Sequence, residues 1–314
     1  MARFLLRRLA VLAATLLVVS VLTFLVPYVT GGDTARTILR ARTGDQAVDP
    51  AQVAALRTEL GLDRPLAIQY GQWLVRAVRG DFGYSFASRT PVGELLGAAL
   101  QVSASLAVAA LLFAVLIAVP LGVVSAARRG SRVDSGLTLL TQSFVAVPEY
   151  WLAPLAVLAF SLRLHWLPSA GWRTPGSVVL PATVLALRPM AYFTRVTRAA
   201  MVDVLAAPYI VAARSRGLSY PRTLLRHGLR NGMLPVMSLF SLWFAGLLGG
   251  SVVVEVIFAV PGMGRLIYQA VLNNDVPVIQ GGVLSIVALS VLLTTATDLL
   301  YAVINPAVRV DDHG

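Results

Sequence analysis

Glu149 and Arg188 are charged side chains set inside long apolar runs, Glu149 directly after Pro148 and Arg188 directly before Pro189. A charge in a lipid-facing helix is costly, so each marks a function by default. The adjacent proline weakens the helix ladder at both places. Two uses of the pair stand open: lining an aqueous path, where they meet the charged termini of a peptide, or joining as an ion pair that holds two helices together. Asp203 and Asp298, near the ends of apolar runs, are read as interfacial. Other chemistry is excluded by residue type. The chain has no cysteine, and its three histidines, His165, His227 and His313, are far apart in sequence, which leaves no Cys/His zinc site. None of the three falls inside an apolar run, so an intramembrane hydrolase or lipid-modifying enzyme lacks its base or metal cluster. All 26 basic residues are arginine, and without lysine a G-x-x-x-x-G-K phosphate loop cannot form.

The elements that must carry these charges are membrane spans. The chain is 57% hydrophobic and 13% charged, with a mean hydropathy of +0.76, outside the range of soluble domains. A bilayer core takes about 20 apolar residues per helix, and six windows qualify: 9–29, 102–124, 137–160, 178–200, 233–254 and 279–303. The first follows Arg3, Arg7 and Arg8, but its run is long for a signal peptide and it is expected to be retained. Arg128, Arg129 and Arg132 between the second and third windows, and the arginines from Arg195 to Arg230 at or after the end of the fourth, put those loops and both termini in the cytoplasm. The net charge of +11 is thereby explained without nucleic acid. The expected organisation is a cytoplasmic end and first span (1–29), an extracytoplasmic segment (30–101), a transmembrane domain (102–305) with a cytoplasmic loop at 201–232, and a cytoplasmic tail (306–314). Trp73, Tyr84 and Trp166 lie near membrane boundaries and are read as anchors.

That loop holds "ARSRGLSYPRTLLRHGLRN" (213–231), with five arginines. Pro208 suits the first turn of a helix through Arg216, and Gly217 suits a left-handed C-cap. A second helix is expected from Pro221, with Arg222, Arg226 and Arg230 on one face. Tyr209, Ile210 and Val211 would waste apolar area in water, so the loop is either a docking element for a cytoplasmic partner or an amphipathic segment on the membrane surface.

The stretch "YIVAARSRGLSYPRTLLRHGLRNGMLP" (209–235) resembles the cytoplasmic loop of permease subunits of binding-protein-dependent ATP-binding-cassette importers, in the dipeptide, oligopeptide and nickel class. Residues 60–86, 147–171, 179–205, 255–281 and 298–310 are similar to further parts of that class, in order, so the likeness spans nearly the whole chain. The Glu-Ala-Ala triplet of the wider family reads Val211-Ala212-Ala213 here. The resemblance implies an all-α integral membrane protein with six transmembrane helices, a small extracytoplasmic domain after the first, and a coupling helix at about 208–220 between the fourth and fifth. Tyr209, Ala212, Ala213, Arg214, Arg216, Gly217 and Leu218 would seat in a groove of an ATPase subunit. Pro261, Gly262 and Gly264, in "VPGMG", would give glycine-assisted turns facing an extracellular solute-binding protein or lipoprotein. The implied partners are a second homologous permease, one or two ATPase subunits that bind ATP and Mg, and membrane lipid; this chain itself would hold no cofactor. The implied place is the bacterial plasma membrane. Peptides are the favoured solute, with nickel chelates, glutathione or other small solutes as the alternative.

Overall fold

The computed structural model describes residues 2–29, 34–43, 49–59, 61–219, 223, 228–229 and 232–304. The expected cytoplasmic tail (306–314) and most of the expected second loop helix, with Arg222, Arg226 and Arg230, lie outside them. The helices are α1 (Ala2–Val29), α2 (Thr34–Thr43), α3 (Pro50–Glu59), α4 (Leu66–Val78), α5 (Val92–Ala127), α6 (Arg132–Ala146), α7 (Glu149–Ala156), α8 (Gly176–Ala206), α9 (Pro208–Ser215), α10 (Leu234–Gly250), α11 (Val252–Ile257), α12 (Met263–Leu272) and α13 (Val276–Ile304). Among the described residues the extended pairing is a single bridge, Tyr84 with Pro91.

The chain divides into two compact units. The first comprises the described residues within 2–103 and 261–295. Its core joins Val92, Leu96 and Ala99 of α5 to Met263, Ala270 and Val278 of α12 and α13. A Cβ on Gly281 would come within 2.8 Å of Leu96, so the small residue permits this close approach. α4 packs on α1 through Phe24, Tyr28, Tyr70 and Trp73, whose rings contact one another. A smaller cluster of Ala35, Val53 and Leu56 joins α2 to α3.

The second unit, the described residues within 104–260 and 296–304, is built on α8. α6, α7, α9, α10 and α11 all pack against that helix, and Leu185, Ala186, Met190, Phe193 and Met201 are buried along it. Gly122 of α5 also lies against it, where an added Cβ would sit 2.6 Å from Thr197 Cβ.

The third expected span, 137–160, is not one continuous helix. α6 and the α7 leg bend by 95° at Val147–Pro148. A residue before proline is pushed out of the helical region; Val147 takes φ −90°, ψ 121°, and Pro148 follows with φ −67°, ψ 142°. Within α7, Pro154 has no N–H to donate, and the helix widens into a π-helical stretch, Val157–Arg163. The fifth expected span, 233–254, is also interrupted: α10 is 17 residues long, and Ser251 separates it from α11. Among the described residues, four helices are long and apolar enough to cross a membrane, or five with the bent pair counted as one, and α10 is a shorter apolar helix.

Candidate functional site

α9 begins where Ala207 turns extended, at φ −70°, ψ 142°, and Pro208 takes a first-turn position, as its fixed φ favours. Gly217 ends it with φ +84°. The Gly217 amide donates to Arg214 O at 2.9 Å and the Leu218 amide to Ala213 O at 3.4 Å, the bond pattern of a Schellman cap. Ile210 and Ala213 are buried. Tyr209, Ala212 and Arg216, spaced to share another face, are exposed, as are Arg214 and Gly217, while Leu218 is half-buried. Arg216 Nε donates to Ala212 O at 3.2 Å. The sequence therefore located this helix and its stop, but the α-helix ends at Ser215, short of the expected 220. Beside it Leu205, Ile210, Arg214 and Leu218 help line an open hollow of about 610 Å³.

Glu149 is the first residue of α7, at the bend that follows α6, and it is half-buried. Arg188 lies within the unbroken α8, exposed, next to buried Pro189. The two interact electrostatically. Among the described residues no ion pair within 4.0 Å joins them, whereas an acid–arginine pair of that kind joins α6 to α8.

That pair is Asp134 of α6 with Arg198 of α8, which the sequence reading did not single out. Arg198 Nε and Nη2 each lie 2.7 Å from one carboxylate oxygen, in the parallel fork that guanidinium favours. Ser125 Oγ also donates to the carboxylate, and so does the Gly130 amide at 2.9 Å. Ser131 Oγ accepts from the Asp134 amide at 3.3 Å and caps α6. The spacing Ser131-x-x-Asp134 is an N-terminal capping signal that was readable. A second missed acid, Glu255 of α11, is fully buried and accepts from Ser251 Oγ at 2.7 Å. Its signal was one acid in "VVVEVI".

The expected glycine-assisted turn in "VPGMG" is corrected. In the second unit the left-handed residue after α11 is Ala259, at φ +51°, with the Val260 amide donating to Glu255 O at 2.8 Å. In the first unit Gly262 is extended, at φ −95°, ψ 178°, and serves as the N-cap of α12. Pro261 is exposed and Gly264 is buried in the first turn. The Met263 amide donates to Ser103 Oγ at 2.7 Å, which fixes the start of that helix. At its other end buried Asp275 accepts from Ser85 Oγ and from the amides of Phe86, at 3.1 Å, and Ala87, at 3.3 Å. This clamp holds the segment before α5 to the α12–α13 turn.

The comparisons with known proteins point to one family. Residues 118–310 match the family described as binding-protein-dependent transport system inner membrane component, and residues 1–107 match its N-terminal counterpart. A protein of Brucella abortus (strain 2308) named as a peptide transport system permease is 40% identical over 319 aligned positions, covering 99% of this chain and 100% of the relative. The glutathione transport system permease protein GsiC of Escherichia coli (strain K12) is 38% identical over 309, covering 98% and 99%. A solved structure of the MetNI methionine ABC transporter in inward-facing conformations matches with a TM-score of 0.53 at 17% identity, covering 67% of this chain and 96% of that one. At that identity the likeness speaks for the fold.

Proposed function

The chain belongs to the inner membrane component family of binding-protein-dependent transport systems, and on that premise we propose that α9 is the seat of a separate ATPase subunit and that Glu149 and Arg188 line the route of the solute. A member of this family is a permease subunit of an ATP-binding-cassette importer, a transport protein and not an enzyme. It is a multi-pass membrane protein.

The observation that carries the proposal is the build of α9. A short helix with a fixed start at Pro208 and a fixed stop at Gly217 transmits a push without bending, and its exposed Tyr209, Ala212 and Arg216 give a groove on a partner something to grip. Its buried Ile210 and Ala213 pass the displacement to α8. With no lysine to build a phosphate loop, ATP and Mg belong to one or two partner ATPases. A second homologous permease completes the path.

In this reading six spans cross the membrane, α6 with the α7 leg serving as one broken span and α10 as another. Residues 30–101 are extracytoplasmic, both termini are cytoplasmic, and Pro261, Gly262 and Gly264 face a solute-binding protein. Exposed Arg188 and half-buried Glu149, left without an ion pair, suit the carboxylate and ammonium of a peptide. Relatives named for peptide and for glutathione transport support peptides as the solute. Nickel chelates and other small solutes are the second reading within the same class.

Gly217→Pro tests the coupling role, because proline cannot adopt the positive φ found there. The expected result is loss of uptake and weakened co-purification of the ATPase with the spans still inserted. Unchanged uptake contradicts it.

A further inference from the structure

The first unit contains a cavity of about 270 Å³ that the transport role does not use. Pockets for drug-sized ligands run to about 300–1,000 Å³, so this one suits a headgroup rather than a bulky solute. One wall is the last turns of α1, with Phe24, Pro27 and Tyr28, and another is the first turn of α13, with Val276, Pro277 and Gln280. Both helices are long and apolar enough to cross the membrane, and Gln280 Nε2 donates to Thr23 O at 3.2 Å, which fixes their ends together. The cavity therefore opens at the level where a bilayer gives way to water.

α4 supplies the third wall. Gln69, Gln72, Trp73 and Arg76 follow the i, i+3, i+4, i+7 spacing of one helical face and all line the cavity. Gln69 is committed to the scaffold: its Nε2 donates to Leu62 O and Arg64 O, and its Oε1 accepts from Tyr28. Arg76 and Gln72 are not. Among the described residues no hydrogen bond or ion pair engages either side chain. At the rim one oxygen of the Asp81 carboxylate accepts from the Gly83 amide at 3.0 Å, which orients the group and leaves its second oxygen open.

We propose that this cavity seats the headgroup of a zwitterionic phospholipid of the phosphoethanolamine type, with Arg76 and Gln72 donating to the phosphate and Asp81 accepting from the ammonium. A guanidinium matches a phosphate through two parallel bonds. The rings of Trp73 and Tyr84 add a face that favours a cation. The aromatic wall from Phe24 to Trp73 receives the glycerol end, as interfacial aromatics do. Bound this way, the lipid staples α4 to the ends of α1 and α13.

The test is native mass spectrometry of the full chain in mild detergent. It is titrated with phosphatidylethanolamine, phosphatidylglycerol, free phosphoethanolamine and a dipeptide. The expected result is a preference for phosphatidylethanolamine over phosphatidylglycerol that Asp81→Asn removes. Arg76→Gln should weaken phosphatidylethanolamine binding about tenfold, equivalent to one charged hydrogen bond, with partial recovery in Arg76→Lys. Arg79→Gln, which alters an exposed arginine outside the cavity lining, should leave binding unchanged. Three results overturn the proposal: equal binding by the Arg76→Gln and Arg79→Gln variants, displacement of the lipid by the dipeptide, or free phosphoethanolamine binding as tightly as the whole lipid.

Discussion

Two acid–arginine combinations lie between the bent α6–α7 pair and α8, and they are built differently. Asp134 is buried and has its oxygens filled by Arg198, Ser125 and the Gly130 amide. Glu149 is half-buried, and Arg188, exposed on the same helix as Arg198, makes no ion pair with it. A buried carboxylate with every acceptor site occupied is held for structure, since removing one partner strands the other. Charges that attract each other without closing into an ion pair fit the proposed role of meeting a passing solute. Charge inside a run of apolar sequence thus takes two forms here, one filled by hydrogen bonds and one not.

The largest effect should come from breaking the satisfied pair. Arg198→Ala is expected to remove most of the monodisperse protein recovered in detergent, measured by size-exclusion chromatography. A paired change of Asp134 and Arg198 to leucine should recover more than either single leucine variant. Equal losses from single and paired variants would dissolve the distinction from the structural side. Next come Glu149→Gln and Arg188→Gln, which should leave the recovered protein unchanged and lower uptake in reconstituted vesicles by about tenfold, a barrier change on the scale of one charged contact. Loss of folded protein in both would make that pair structural as well. The smallest effect belongs to packing beside Arg198. Gly122→Leu forces a side chain against Thr197 and Thr194 and should cost about 1–3 kcal/mol, read as a lowered thermal midpoint with uptake retained in the folded fraction.

The sequence disclosed most about the features that depend on neighbouring residues in the chain. Pro208 and Gly217 marked α9 because both act through their own φ angles, and the apolar windows marked helices because lipid demands length and composition. The breaks were harder to read. Val147–Pro148 bends the chain while Arg188–Pro189 does not, although both carry the same pre-proline strain; α8 is packed by α6, α7 and α10, and that surrounding contact overrides the local preference. Ala259 takes the left-handed turn that "PGMG" suggested for glycine, because the cap of α11 falls before the first glycine, Gly262, is reached. Asp134 was legible only as part of a helix-capping signal, and Asp275 only as an acid near a loop. Their partners, Arg198 and Ser85, are remote in sequence and come to them through the fold.

The central claim is that α9 touches the ATPase and moves when ATP binds. The native chain is free of cysteine, so Ala212→Cys on the exposed face of α9 can be cross-linked to the ATPase in the assembled transporter without altering any other residue. The account predicts a cross-linked product whose yield changes when ATP is added. No product from Ala212→Cys, with a strong one from Arg129→Cys in the exposed turn after α5, would contradict it.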